Sequence, residues 1–268
     1  AMSAYMAFMD GEYGARVYYI APKLLQANLC FEAFCQMVEK ESELAALARK
    51  RRTDVYIEQT NTSIQPIAFN QRKSDGLNPS MVIADELSSW VGDAGLKQYE
   101  VIKSALGARK QPMILSISTA GYVNEGIYDE LVKRSTAVLN GDSRESRLAP
   151  FIYDVDDITK WNDINELQKA NPNLNVSVSV NYLLEEIAVA EGSLSKRSEF
   201  IVKYCNRKQN SSLSWLNAED VEKAYGDHFD LEDFRDCYCV GGIDLSRSTD
   251  LTASCIVIQK NGDLLVIA

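Results

Sequence analysis

Two apolar runs in this sequence end on residues that could carry chemistry together. Met81 to Glu86 (MVIADE) is a hydrophobic stretch closed by adjacent carboxylates, the pattern of a Walker B motif. If the run is a strand, it fixes both carboxylates at a sheet edge. Asp85 would then hold Mg2+, directly or through its waters, and Glu86 would orient or deprotonate an attacking water. The same letters also fit plain acidic charge at a helix N-terminus, which the helix dipole favours. A second run, ILSISTAG, ends on Ser118 and Thr119. Small hydroxyls beside such a carboxylate pair suit the sensing of a γ-phosphate, and they equally suit a turn or helix cap before Asn124.

A third pattern lies near the other end. VGGIDLSRSTDLTASCIVI places Asp244 within a strand and Asp250 six residues on. A carboxylate in mid-strand is costly unless it is paired or metal-bound. RNase H-like nucleases hold one or two Mg2+ or Mn2+ on a carboxylate of their first strand, the two metals about 3.5–4 Å apart. An N-cap at Asp244, turn carboxylates in a hairpin, and the phosphate-binding hairpin of actin-like kinases fit the pattern as well.

The elements that must position these residues follow from periodicity. Arg16 to Ala21, Asp54 to Gln59, Ile64 to Phe69, Met81 to Ala84, Pro112 to Ile117 and Leu148 to Tyr153 read as strands. Pro22 opens a long helix whose apolar positions run through Cys30, Phe34, Met37, Val38, Leu44, Ala45 and Ala48. Further helices fall at Leu96 to Leu106 and Gly126 to Leu139. Alternation over the first 155 residues predicts an α/β fold with a parallel sheet covered on both faces. Chemistry in such sheets sits beyond the C-terminal strand ends, where Asp85-Glu86 and Ser118-Thr119 both fall. From Trp161 to Tyr204 the pattern is helical, with Asn181 a candidate cap and Gly192 a candidate end. A polar stretch, Arg207 to Ser214, reads as a linker, with a helix near Ala218 to Tyr225 beyond it. The chain then turns to a β-meander with an Asn261-Gly262 hairpin signal.

Composition narrows the class. The 268 residues are 46% hydrophobic and 25% charged, with net charge −10, which is ordinary for a globular protein. No apolar run approaches the roughly 20 residues of a membrane span. An acidic chain is a poor candidate for wrapping DNA over its whole surface, although a local basic groove stays open. Arg49 to Arg52 and Lys196-Arg197 are basic clusters that read as solvated helix faces before DNA contacts. Six cysteines include no CxxC, and His228 is the single histidine, so a zinc site is not expected. Reduced thiols, several of them buried, are expected instead.

Taken together, these segments resemble the large subunit of tailed-phage terminases, in particular the HK97-like branch. YYIAPKLLQANLCFEAF looks like that family's strand and helix after the phosphate loop, with Gln26 at its usual glutamine. GLNPSMVIADEL matches the Walker B block, and GARKQPMILSISTAG the strand with the coupling motif. KANPNLNVSVSVNYLLEEI with SEFIVKYCN resembles the linker subdomain, and GGIDLSRSTDLTA the nuclease start. The resemblance implies a P-loop-type ATPase domain over 1–158 that lacks its phosphate loop, and a helical linker or lid over 159–206. It further implies an interdomain linker over 207–235 and the first strands of an RNase H-like nuclease over 236–268. It makes Asp85 the Mg2+-linked carboxylate, Glu86 the catalytic one, and Gln26 a nucleotide-binding candidate. Ser118 and Thr119 become the coupling motif, and Asp244 and Asp250 nuclease metal residues. An arginine finger is also expected, with Arg72 and Arg109 as candidates.

The implied activity is ATP-driven translocation of double-stranded DNA into a procapsid, with Mg2+- or Mn2+-dependent cleavage of concatemers. The implied partners are the small terminase subunit and the portal protein, around which the subunits form a homo-oligomeric ring. The implied place is the cytoplasm of an infected or prophage-carrying bacterium, with no membrane. No GxxxxGK[ST] occurs, so nothing in this stretch cradles phosphates. The opening AMSAYMAFMDGEYG reads as the middle and end of a helix, and the sequence is therefore expected to be an internal piece, inactive as it stands. Two rival readings are another P-loop ATPase such as a helicase, and a non-enzymatic prophage remnant.

Overall fold

The computed structural model describes residues 1–68, 76–122, 126–209, 231–244 and 253–267. The chain forms two compact units, Ala1–Ser214 and Trp215–Ala268.

The first unit is built on six strands: β1 (Arg16–Ala21), β2 (Ala48–Lys50), β3 (Val55–Ile57), β4 (Thr62–Ala68), β5 (Met81–Asp85) and β6 (Met113–Ile117). Their order is β2-β3-β4-β1-β5-β6. The block β4-β1-β5-β6 is parallel throughout, as expected. Two short antiparallel strands, β2 and β3, extend it on the β4 side, so the sheet is mixed at that edge.

The central strands read as unbroken apolar runs because both of their faces are covered. Val17, Tyr19 and Ala21 of β1, with Met81 and Ile83 of β5, pack against Ala27, Phe31, Phe34, Cys35 and Val38 of α2 (Leu24–Lys40). The alternate residues Tyr18, Ile20, Val82 and Ala84 pack on the other face. Their partners there include Tyr99 and Ile102 of α4 (Gly92–Ala105) and Ile127 of α5 (Ile127–Leu139). A short α1 (Met2–Phe8) closes the α2 side, where Tyr19 donates its hydroxyl to Ser3 Oγ at 2.6 Å.

Several expectations need correction. The helix opened at Pro22 does not reach Ala48. It ends at Lys40, Glu41 is extended, α3 spans only Ser42–Leu47, and Ala48 begins β2. Strand pairing with Val55–Ile57 overrides the helical spacing there. The basic cluster Arg49 to Arg52 is therefore a strand and turn, not a helix face. Lys50 reaches Glu39 at 3.1 Å, and Arg51 pairs with the buried Asp54 while its guanidinium lies 4.4 Å over the Tyr56 ring. Leu148 to Tyr153 forms no strand among the described residues, and Phe151 stays 80% exposed. A β-rich run without a ladder partner does not become a strand.

After this segment the chain enters a helical part with its own core. It comprises α6 (Ile164–Ala170), α7 (Val180–Glu191) and α8 (Leu194–Tyr204). Trp161, Leu167, Leu183, Ile187, Phe200, Ile201 and Cys205 form one buried cluster. The N-cap of α7 is Ser179, whose side chain accepts from the Tyr182 N–H, so Asn181 lies inside the helix. Gly192 ends α7 as predicted.

The second unit contains an antiparallel meander of β7 (Cys239–Asp244), β8 (Ala253–Lys260) and β9 (Asp263–Ile267). Asn261 and Gly262 have φ of 54° and 96°, the two positive values that a type I′ hairpin turn requires. The helix expected near Ala218 to Tyr225 lies outside the described residues.

Candidate functional site at the sheet edge

Asp85 is the last residue of β5. Alternation along the strand directs it to the face that packs on α2, and Cys30 of α2 donates its thiol to Asp85 Oδ2 at 3.5 Å. Burial first, and then the Asp85 carboxylate, push the Cys30 thiol above its usual value. The other oxygen, Oδ1, accepts from the Glu86 N–H at 2.9 Å. The Asp85 backbone is held as well, since the indole N–H of Trp90 donates to its carbonyl at 3.1 Å. Trp90 is 2% exposed and Leu87 3% exposed, so the turn after β5 is anchored by two buried apolar side chains.

Glu86 takes the sharpest turn. Its φ is 55° and ψ 45°, the left-handed region, where an L-residue other than Gly, Asn or Asp costs roughly 1–2 kcal/mol. Such outliers concentrate where function requires them. Register pairs Asp85 with Ile117 on β6, so Ser118, one residue beyond that strand, falls beside the turn. The Ser118 Oγ accepts the Ser88 N–H at 2.8 Å and donates to the Thr119 carbonyl at 2.8 Å. Gly121 packs so closely that an added Cβ would meet the Ser88 Cβ at 3.1 Å.

The structure therefore brings Asp85, Glu86, Ser118 and Thr119 to one edge of the sheet, the C-terminal edge of β5 and β6. It places other candidates elsewhere. Gln26 sits in the first turn of α2, where its Oε1 accepts from the Lys23 N–H at 3.2 Å, a helix-capping contact. Arg109 lies at the opposite edge, ahead of β6. Its guanidinium donates to the Asn78 carbonyl at 2.7 and 3.2 Å and to the Gly14 carbonyl at 3.0 Å, and it pairs with Glu12 at 3.3 Å. At 9% side-chain exposure it ties together the segments that lead into β1, β5 and β6. Arg72 and Asp250 lie outside the described residues. Asp244 is the last residue of β7, exposed, and paired across the ladder with Ala253.

Cys30, Ser88 and Trp90 touch the acidic turn, yet spacing does not mark them for that role. Cys30 reads only as an apolar helix position. Trp90 and Ser88 follow the carboxylates without a motif, and the contacts that matter are made by a backbone N–H and an indole N–H.

Among the described residues, no group of three or more His, Cys, Asp or Glu gathers to hold a metal by itself. The carboxylates at this edge, Asp85 and Glu86, are a donor set that suits a divalent cation completed by waters and phosphate oxygens. Among the described residues, no helix is long and apolar enough to cross a membrane.

Comparison with known proteins bears on the fold and the family. The chain is 30% identical over 183 residues to protein YmfN of Escherichia coli (strain K12), covering 68% of this chain and 40% of YmfN. It superposes on the crystal structure of the HK97 bacteriophage large terminase with a TM-score of 0.67 and 19% identity, over 99% of this chain and 54% of that one. At that identity the likeness establishes the fold. The chain thus spans about half the length, or less, of the proteins it matches. The endonuclease domain of the terminase large subunit matches residues 145–268. The ATPase domain of the same subunit matches residues 1–136, just over half of the 268, and the chain belongs to the terminase large subunit family.

Proposed function

We propose that these residues form the acidic and coupling side of an ATPase that moves double-stranded DNA into a procapsid, joined to a metal-dependent nuclease that cuts concatemers. The observation that carries the first half is Glu86, held in the left-handed region directly after Asp85 and beside Ser118. In this reading Asp85 holds Mg2+ through its waters, and Glu86 orients the attacking water and takes its proton. Bound ATP and Mg2+ supply the phosphoryl group and the charge that neutralises it. Ser118 and Thr119 report the γ-phosphate to the rest of the domain. The Arg109 contacts support a structural role for it rather than that of an arginine finger.

The β6 edge bears on where phosphates are cradled. Among the described residues β6 pairs only with β5, and its Met113 and Ile117 are 39% and 47% exposed. An apolar edge strand left open is a template for another strand. We assign that edge to a further parallel strand ending in a Gly-rich phosphate loop, which would set the phosphates next to Ser118.

Membership of the family supports the remaining assignments. We divide the chain into an ATPase domain over 1–158, a helical lid over 159–206, a linker over 207–235 and a nuclease start over 236–268. The separate core of the helical part supports the lid, although the endonuclease-domain match takes that part in as well. Asp244 and Asp250 would hold Mg2+ or Mn2+ in the nuclease. The small terminase subunit and the portal protein would be the partners of a homo-oligomeric ring, in the cytoplasm of the bacterial host.

Two substitutions in the complete enzyme test this reading. Glu86→Gln is expected to abolish ATP turnover and leave nucleotide binding; unchanged turnover would remove the Walker B assignment. Asp244→Ala is expected to abolish Mn2+-dependent DNA cleavage and spare ATP hydrolysis; retained cleavage would remove the nuclease assignment.

A further inference from the structure

Beyond α8 the chain returns to the sheet through Cys205, Asn206, Arg207 and Lys208, and each of these is tied down. The Cys205 carbonyl accepts from the Val155 N–H at 3.2 Å. Arg207 donates to the Val155 carbonyl at 2.8 and 3.0 Å and pairs with Asp154 at 3.2 Å. Lys208 pairs with Asp129, in the first turn of α5.

Asn206 differs from its neighbours in what it reaches. Its φ is 53°, a left-handed conformation that Asn tolerates better than most residues. From there its amide spans two otherwise separate segments. Oδ1 accepts the Ala120 N–H at 2.7 Å, and Nδ2 donates to the Tyr153 carbonyl at 2.7 Å. Ala120 is buried and lies two residues past Ser118. Ser118 is bonded in turn to Ser88, three residues past Asp85. A short series of bonds therefore runs from the acidic turn through Ser88, Ser118 and Ala120 to Asn206, and from there to Tyr153 at the entry to the helical part.

We propose that Asn206 is the positioning residue that passes the state of the nucleotide edge to the helical part of this unit. The inference rests on the ATPase reading above and adds the element that transmits it. A displacement of Ser118 and Thr119 carries the Ala120 N–H with it. Asn206 then either follows, shifting Tyr153 and the end of α8 together, or lets go. A carboxamide suits this task because it presents an acceptor and a donor in one plane. Aspartate would keep the Ala120 bond and set an oxygen against the Tyr153 carbonyl. Glycine would keep the left-handed backbone at no steric cost and lose both bonds.

The test uses the complete packaging enzyme with Asn206→Gly and Asn206→Asp. ATP hydrolysis and the length of DNA translocated per ATP are measured alongside the thermal midpoint. A residue that matters only for folding lowers both rates together, whereas a coupling residue changes their ratio. For Asn206→Gly the expected result is hydrolysis within about threefold of wild type and DNA moved per ATP reduced about tenfold, within the range that single coupling residues produce. Undiminished DNA per ATP in that variant overturns the assignment. Should the glycine variant not fold, Asn206→Asp decides. A reduction of about threefold or more in DNA per ATP supports the positioning role of Asn206, and an unchanged ratio overturns it. Absence of ATP hydrolysis in the wild-type enzyme would overturn the ATPase reading and this inference with it, and so is distinguishable from failure of the Asn206 assignment alone.

Discussion

Gly95 offers the sharpest check on how the acidic turn is held. It lies in the first turns of α4, and a Cβ built on it would sit 2.1 Å from the Trp90 carbonyl oxygen and 2.4 Å from the Trp90 carbonyl carbon. Helix propensity alone favours Gly95→Ala by about 1 kcal/mol. Packing opposes it, because the obstructing atoms are backbone and cannot rotate away. Overpacking of this kind costs typically 1–3 kcal/mol and occasionally more, and a contact this short belongs at the upper end. The net expectation is a loss of about 2 kcal/mol, or a fall of about 4–8 °C in the thermal midpoint for a unit of roughly 200 residues. Trp90 is buried and its indole N–H holds the Asp85 carbonyl. Any relief that moves Trp90 therefore shifts the acidic turn with it. Thermal and urea denaturation of Gly95→Ala, read against wild type, decide the matter. A midpoint equal to or above wild type would show that α4 and the Trp90 turn do not approach as described, and would refute the reasoning.

Three further outcomes are expected. Glu86→Gly removes the penalty for a left-handed L-residue and stabilises the protein by about 0.5–1 kcal/mol while ending ATP turnover; a fall in stability on urea denaturation would contradict the strained turn. Burial pushes the thiols of Cys35 and Cys205 up to about 11 and about 12, whereas Cys239 and Cys255 are exposed; iodoacetamide at pH 8 followed by peptide mass mapping should label the exposed pair first and reach Cys35 and Cys205 only after denaturant is added. Lys203 and Lys196 hold Glu199 below the usual 4.5, and Lys169 does the same for Glu166. Depressed carboxylates stabilise the fold above their unfolded value, so this contribution should be full at pH 7 and fall away below pH 4.5 as the groups protonate. Thermal midpoints measured from pH 7 to pH 3 would show this, and charge-removing Glu199→Gln should flatten that acid-side decline.

Much of the candidate site is legible in the residue order because its chemistry depends on local pattern. An apolar run closed by Asp85-Glu86 buries itself as a strand and leaves the carboxylates at its end. The ILSIS run does the same for Ser118 and Thr119, and parallel pairing of two such strands sets their ends side by side. The Asn261-Gly262 turn is equally local, since it needs only two residues that accept positive φ. The edges of the sheet were less legible. Ala48 to Lys50 carries helical spacing and pairs as a strand, while Leu148 to Tyr153 carries strand-like residues and pairs with no strand among the described residues. Neither outcome depends on the segment's own letters, because strand formation requires a partner with free hydrogen-bonding groups at the right distance.

The contacts that hold the acidic turn belong wholly to the folded chain. Cys30 on Asp85, Ser88 on Ser118, Gly95 under the Trp90 carbonyl and Asn206 between Ala120 and Tyr153 join residues up to 86 positions apart. They use thiol, backbone and amide groups that no motif singles out. Arg109 makes the same point from the other direction. Its charge suggests catalysis, but its position ahead of β6 puts it at the edge away from Asp85, where it binds three loops together. Residue pattern sets which side chains end a strand, because burial is a local property of alternating apolar residues. Distance between strand ends, and the partners that meet there, are set only when the helices pack and the loops close.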